Sequence, residues 1–281
     1  MRFCVGLRIY ILLFMVLYGY KFVSAQKTIH WAYFTTPTEK NVIIKSVGTK
    51  TVVCGYEGDS IIVDMIPKNK NHLANDVKNF HRISSSTKSD SCFIKFDKKE
   101  ESVILSVFNI SPSSNSTVIK LPKHLFVNID CYTESPIDSL TIKNLDHLRK
   151  VSGEVKELSI SDIHVGVPAY IGIRSEKTFL RDIKFIERLN KYPDPYTSDS
   201  LADIFLTTFG EIHISFLDTN KASFNIYSKE GSVFSNLNLG PNIKQAIKQY
   251  ENGSWYNGTL NNGGPRFYIR TSYGNIYLTK E

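Results

Sequence analysis

The side chains in this sequence that could do chemistry are thinly spread. Seven histidines, His30, His72, His81, His124, His147, His164 and His213, are the natural place to look for proton transfer or metal ligation. No pair of them has the spacing that puts two zinc ligands on one helix face, and no HExxH, GxSxG, P-loop, Rossmann or EF-hand pattern occurs. His213 lies between Ile212 and Ile214, so on a strand it points away from the core as a solvated side chain. Glycosidase chemistry needs two carboxyl groups across one bond. The candidates, Asp199 and Asp203 beside a proline-bearing stretch and Glu211 and Asp218 further on, form no compact signature. The expectation is therefore no catalytic residue, no metal and no cofactor: a non-enzyme, with a polysaccharide-acting hydrolase or lyase as the alternative.

Three cysteines remain once Cys4 is set aside with the leader: Cys54, Cys92 and Cys131. An odd number in an oxidising compartment implies one bridge and one spare thiol, and all three pairings stay open. Nothing in their spacing suggests zinc or a redox pair. The net charge of +7 includes Arg2, Arg8 and Lys21 of the leader, so the mature chain is only modestly basic. Its lysines and arginines are scattered, which excludes the clustered basic face that nucleic acid requires.

The compartment follows from the first 25 residues. "MRFCVGLRIYILLFMVLYGYKFVSAQK" places two arginines ahead of an apolar run and small residues ahead of Gln26, the pattern of a cleaved secretory signal. The apolar run falls short of the roughly 20 residues that span a bilayer. Secretion is expected, with no membrane insertion after cleavage. Four Asn-X-Ser/Thr sequons, at Asn109, Asn115, Asn252 and Asn257, sit in or beside polar stretches and are candidate glycosylation sites.

From Asn41 onward the chain is a series of short β-branched runs, such as "NVIIKSV", "KTVVCGY", "SIIVDMI" and "SVILSVFNI", separated by Gly, Pro, Asn, Asp and Ser. This is an all-β pattern. Helices are expected only near 71–83 and 240–251. Beyond residue 135 a motif recurs, apolar-x-[Ser/Thr]-x-x-Gly-x-[Ile/Val]: Phe205, Thr207, Gly210, Ile212; Ile226, Ser228, Gly231, Val233; and Ile269, Thr271, Gly274, Ile276. A degenerate copy is Ile173, Ser175, Thr178, Leu180. The hydroxyl can bond backbone at a corner, the glycine supplies positive φ or close approach, and the β-branched residue opens the next strand. A corner recurring once per coil predicts a stacked, right-handed parallel β-helix or β-solenoid rather than a meander. "NGTLNNGG" is the one stretch that looks like a hairpin.

"TTFGEIHISFLDTNKASFNIYSKEGSVFSNL" and "YNGTLNNGGPRFYIRTSYGNIYL" resemble the putative-adhesin β-helix family, over about residues 136–281. The resemblance implies a β-solenoid without established catalytic residues and a name resting on analogy to surface adhesins. The expected organisation is a signal peptide at 1–25, a β-rich region with cysteines at 26–135, and the solenoid at 136–281. If Ile226 and Ile269 face inward, Asn225, Tyr227, Tyr268, Arg270 and Tyr277 face outward, with Trp255 and Tyr256 on a nearby loop. Outward aromatics either hold a sugar ring or partner protein or cover the neighbouring coil. Tyr227, Trp255, Tyr256, Tyr268, Arg270 and Tyr277 are thus the candidate binding face. The expected role is adhesin-like binding of an extracellular protein or glycan, with a purely structural surface component as a further alternative and self-association through open strand edges.

Overall fold

The computed structural model describes residues 29–45, 49–66, 92–109, 116–132, 137–165, 168–185, 204–239, 244–245 and 253–281. Among these the chain is all-β, with no helix. The expected signal peptide, the helix near 71–83 and the aspartates at 199 and 203 lie outside them. Of the helix expected at 240–251, Lys244 and Gln245 are described, and they are extended, paired with Asn257 and Tyr256.

The repeating unit is a strand in one sheet, here sheet B, then a short corner, then a strand in a second sheet, A. In spatial order the units are β6 (Ser102–Asn109) with β7 (Ser116–Pro122), β2 (Asn41–Lys45) with β3 (Lys50–Tyr56), and β8 (Phe126–Cys131) with β9 (Ile137–Leu145). Next come the two halves of the long β10 (Leu148–Val165), β11 (Ala169–Arg174) with β12 (Lys177–Phe185), and β13 (Ile204–Thr208) with β14 (Glu211–Phe216). Last are β19 (Arg266–Thr271) with β20 (Ile276–Lys280), then β15 (Ala222–Ser228) with β16 (Val233–Ser235). All these neighbours pair in parallel. Antiparallel strands close the ends: β5 (Cys92–Lys99) on β6, β4 (Ser60–Ile66) on β7 and β1 (Ile29–Phe34) on β4 at one end. At the other, β18 (Ser254–Leu260) lies on β15 and β17 (Lys244–Gln245) on β18.

Spatial order departs from chain order twice. β2 and β3, close to the first described residues, sit between β6–β7 and β8–β9. β19 and β20, made of residues 266–280, sit between β13–β14 and β15–β16. The third motif copy therefore lies between the first two. "NGTLNNGG" makes a tight turn, with Asn261, Asn262 and Gly263 all at positive φ, but its flanking strands land on opposite sides of β15 instead of on each other.

Alternation along each strand explains the core. In sheet B the buried rungs include Ile44, Ile129, Val151, Ile171, Leu206, Ile269 and Ile226; in sheet A they include Val53, Ile142, Ile160, Leu180, Ile214 and Leu278. Parallel register stacks like upon like, so each inward position becomes an apolar ladder in one continuous cluster. Inside β10 the passage from sheet B to sheet A falls at Gly153, whose φ of 122° is open to glycine. A Cβ there would also stand 2.5 Å from the backbone of Cys131.

Candidate functional site

The corners account for the motif. Thr208, Thr271 and Ser228 share one rung, where Thr271 Oγ1 donates to Gly210 O (2.6 Å), Ser228 Oγ donates to Gly274 O (3.1 Å), and Gly231 N–H donates to Ser228 Oγ (2.8 Å). The hydroxyl of the first copy is thus Thr208, and its inward apolar residue is Leu206; Thr207 and Phe205 face outward. The degenerate copy is displaced too: Thr178 takes the rung of Ile212 rather than that of a glycine, and Glu176 lies beside Gly210. Close approach, not positive φ, explains Gly210, Gly231 and Gly274. A Cβ on Gly210 would meet Glu176 O at 2.0 Å, one on Gly274 would meet Gly210 C and O at 2.1 Å, and one on Gly231 would meet Gly274 O at 2.1 Å.

Two outward faces carry aromatic ladders. On sheet B, Lys150, Tyr170, Phe205, Tyr268, Asn225 and Asn257 form one cross-strand row. Tyr170 and Phe205 stack at 5.2 Å and 13°, Phe205 and Tyr268 at 4.8 Å and 11°. These spacings match the roughly 4.8 Å between strands, so the ladder is a product of register. Two residues along the strands runs a second row: Gly172, Thr207, Arg270, Tyr227, Trp255. The Arg270 guanidinium carbon lies 4.8 Å from the Tyr268 ring centroid, 5.3 Å from Trp255 and 5.6 Å from Tyr227, while Tyr227 and Trp255 approach at 4.4 Å. Three π faces around one cation fix its position. Arg270 Nε and the neighbouring Asn225 Oδ1 are buried atoms without a hydrogen-bond partner among the described residues.

Of the candidate binding face, then, Tyr227, Trp255, Tyr268 and Arg270 come together. Tyr256 does not: it sits opposite Ile226 and packs inward against the core, because β18 is a strand whose side chains alternate. Tyr277 is on sheet A, in a separate ladder of Phe179, His213, Tyr277 and Phe234 with centroids 4.9, 4.6 and 5.3 Å apart. The sequence reading does not single out Tyr170, places Phe205 as the apolar residue of a corner rather than part of a face, and does not join Tyr277 and His213 into a ladder; the outward phase of "AYIGIR" and "IFLTT" is the signal that could have found Tyr170 and Phe205.

The remaining reactive groups among the described residues are dispersed. Glu211 approaches His213 (3.6 Å), whereas Asp218 pairs with Lys280 (2.7 Å). Glu211 opens β14 and Asp218 lies just past its end, so the five rises from Glu211 to Phe216, about 17 Å at ~3.3 Å each, hold the two carboxylates well beyond the spacing of a glycosidase pair. His30 and Lys120 both bond Asp64 (2.6 and 3.0 Å); burial opposes its charge, but these two hydrogen bonds hold its carboxyl below the usual range. His147, stacked on Phe126 at 4.7 Å, is pulled below the usual imidazole value, first by burial and then by the neighbouring Arg149, His124 and His164. Among the described residues no three His, Cys, Asp or Glu side chains gather as a metal ion would need.

Cys54 and Cys131 are both free thiols. A bridge between them is ruled out by direction: Cys131 is an inward residue of sheet B, whereas Cys54 follows the inward Val53 and faces out of sheet A. The side chain of Cys92 lies outside the described residues. Among the sequons, Asn257 is an exposed residue in the middle of β18 rather than in a loop. Asn115 and Asn252 are outside the described residues, and Asn109 is described only as the last backbone position of β6.

No family model and no curated protein matches the chain. Among solved structures, a putative cell adhesion protein from Clostridium sporogenes aligns with TM-score 0.42 and 11% identity, over 91% of this chain and 100% of that one. A putative adhesin from Bacteroides fragilis aligns with TM-score 0.24 and 12% identity, over 92% and 98%. One from Parabacteroides merdae aligns with TM-score 0.25 and 9% identity, over 92% and 97%.

Proposed function

We propose that the chain is a secreted, non-enzymatic binding module, adhesin-like in presenting a surface to an external ligand, and that its stacked strand pairs form a β-solenoid. The ligand is a saccharide chain held on the outer face of sheet B. What carries this reading is the gathering of Tyr170, Phe205, Tyr268, Tyr227, Trp255 and Arg270 on one face. Ring stacking along the ladder uses ring faces and leaves ring edges outward, with Tyr170 47% exposed. Apolar edges alternating with hydroxyl and amide groups suit a polyhydroxylated chain better than a uniformly apolar partner. Among the described residues Glu211 and Asp218 stand too far apart to form an acid–base pair, which favours binding over hydrolysis.

The test is retention of the mature chain on immobilised plant, bacterial and animal polysaccharides. The double variant Tyr170→Ser/Phe205→Ser, with its fold checked by circular dichroism, should be retained at least tenfold less. Equal retention of the double variant, or no retention of the unaltered chain on any polysaccharide, would sink the reading.

A further inference from the structure

We infer that Arg270 is an anion-binding point, and that the saccharide this face takes is an acidic one whose carboxylate or sulfate meets the guanidinium. The inference rests on the reading of the sheet B face as a saccharide surface. Its own basis is a contrast among the cations. Lys150 pairs with Asp130 (3.1 Å), Arg174 with Glu154 (3.8 Å), Lys184 with Asp162 (3.3 Å) and Lys280 with Asp218 (2.7 Å). Arg270 has no carboxylate partner among the described residues; rings surround it instead.

The rings do two things for an incoming anion. They hold the guanidinium without neutralising it, so its planar fork keeps its full charge and its capacity for a bidentate contact. They also remove water from one side: Nε is buried, so the contact falls to the outer N–H groups of the fork, beside a dry ring surface that makes an ionic hydrogen bond stronger than one on an open surface. In the same row the neighbouring Thr207 is short and the Tyr170 ring lies over Gly172 beyond it, so on the side away from Tyr227 and Trp255 the approach to Arg270 is a low step over Thr207. Phe205 and Tyr268 wall that approach along the neighbouring row. An anionic group on a sugar can lie in this dip while the ring's hydroxyls reach the tyrosines.

Titration calorimetry at low salt separates the charge from the sugar. The probes are polygalacturonate against its methyl ester, and dextran sulfate against dextran. The unaltered mature chain should bind at least one acidic polymer tenfold or more tighter than its neutral counterpart. Arg270→Gln should abolish that preference, Arg270→Lys should keep part of it, and Lys280→Gln, which removes an equal charge from a paired site, should leave it intact. Equal binding of acidic and neutral polymers, or an Arg270→Gln protein that still discriminates, overturns the anion site while leaving the saccharide face standing. Polyglutamate competing as well as the acidic polymers overturns the sugar part. Absence of binding to all four polymers overturns both readings.

Discussion

The glycine ladder makes the sharpest prediction about what holds the stacked units together. At Gly274 the added methyl of alanine would stand 2.1 Å from Gly210 C and O and 2.4 Å from Glu211 N, all backbone atoms of the adjacent unit. Ordinary contact is about 3.4 Å or more, so the two units must part by about an ångström, there being no flexible side chain to yield. Three hydrogen bonds cross that gap: Tyr273 N–H to Phe209 O (2.9 Å), Thr271 Oγ1–H to Gly210 O (2.6 Å) and Ile212 N–H to Asn275 O (2.9 Å). At about 1 kcal/mol net each, Gly274→Ala should cost roughly 3 kcal/mol. Gly172→Ala is the comparison. There the methyl meets Tyr170 Cε1 and Oη, at 2.6 and 2.7 Å, the far end of an exposed ring that can swing aside, so the cost should stay under about 1 kcal/mol. Urea unfolding followed by far-ultraviolet circular dichroism measures both. Equal losses for the two variants, or a Gly274→Ala protein within 0.5 kcal/mol of the parent by the ~ precision of such extrapolations, would refute the close-approach account.

Three further outcomes follow. Deleting residues 266–281 removes an interior unit with Phe267, Ile269, Ile276 and Leu278 fully buried; at roughly 2 kcal/mol each the loss rivals a typical total stability, so a stable folded 26–265 fragment would contradict the observed order. Buried Glu39 is held below the usual carboxylate range despite its burial, by Thr36 N–H, the Tyr33 hydroxyl and Lys98. Its stabilisation is full above the ordinary carboxylate value and disappears as pH falls through the lowered one, so Glu39→Gln should flatten the acid limb of a pH–melting curve; an unchanged limb counts against it. Tyr33, pushed up to about 12 by burial, its bond to Glu39 and that charge, works in the other direction: its contribution is present below pH 10 and is lost as pH rises toward 12. Finally, Cys131 is buried, with its thiol pushed up to about 12 first by burial and then by Asp130, whereas Cys54 is half-buried and faces outward. Native alkylation with peptide mapping should modify Cys54 at least tenfold faster, and comparable rates would show the register of β8 or β3 to be wrong.

What the sequence disclosed was whatever a strand or corner decides locally. Alternation in "KTVVCGY" or "EIHISF" gives the inward face directly, and "SKEGSV" and "TSYGNI" reveal corners because the same close backbone approach must be met in each unit. Two things were hidden. Corner lengths differ: four positions separate Thr208 from Ile212 but five separate Thr271 from Ile276, and aligning the copies on glycine therefore shifted Thr207 and Phe205 into roles that Thr208 and Leu206 hold. The order of units was hidden as well, because distance along the chain says nothing about which neighbours a strand will join.

That second point bears on the site itself. Were the units stacked in chain order, β15 would follow β13, and Phe205 would meet Asn225 while Thr207 met Tyr227. Insertion of β19 between them brings Tyr268 onto Phe205 and sets Arg270 beside Tyr227, with Trp255 beyond it on β18. The aromatic enclosure of Arg270 thus draws on β15 and β18, which pair directly, and on β19, which the displaced C-terminal unit sets beside β15. The insertion is favoured by burial: Phe267 and Ile269 fall on the same inward rungs as Ile204 and Leu206 on one side and Phe224 and Ile226 on the other, all buried. A packing preference for interior over edge therefore also assembles the face, and a substitution such as Ile269→Ser, which weakens the inserted strand from within, should loosen Arg270 without touching any ring around it. Loss of acidic-polymer preference in that variant, with partial retention of strand content, would be the signature; an intact preference would mean that the enclosure holds without the insertion.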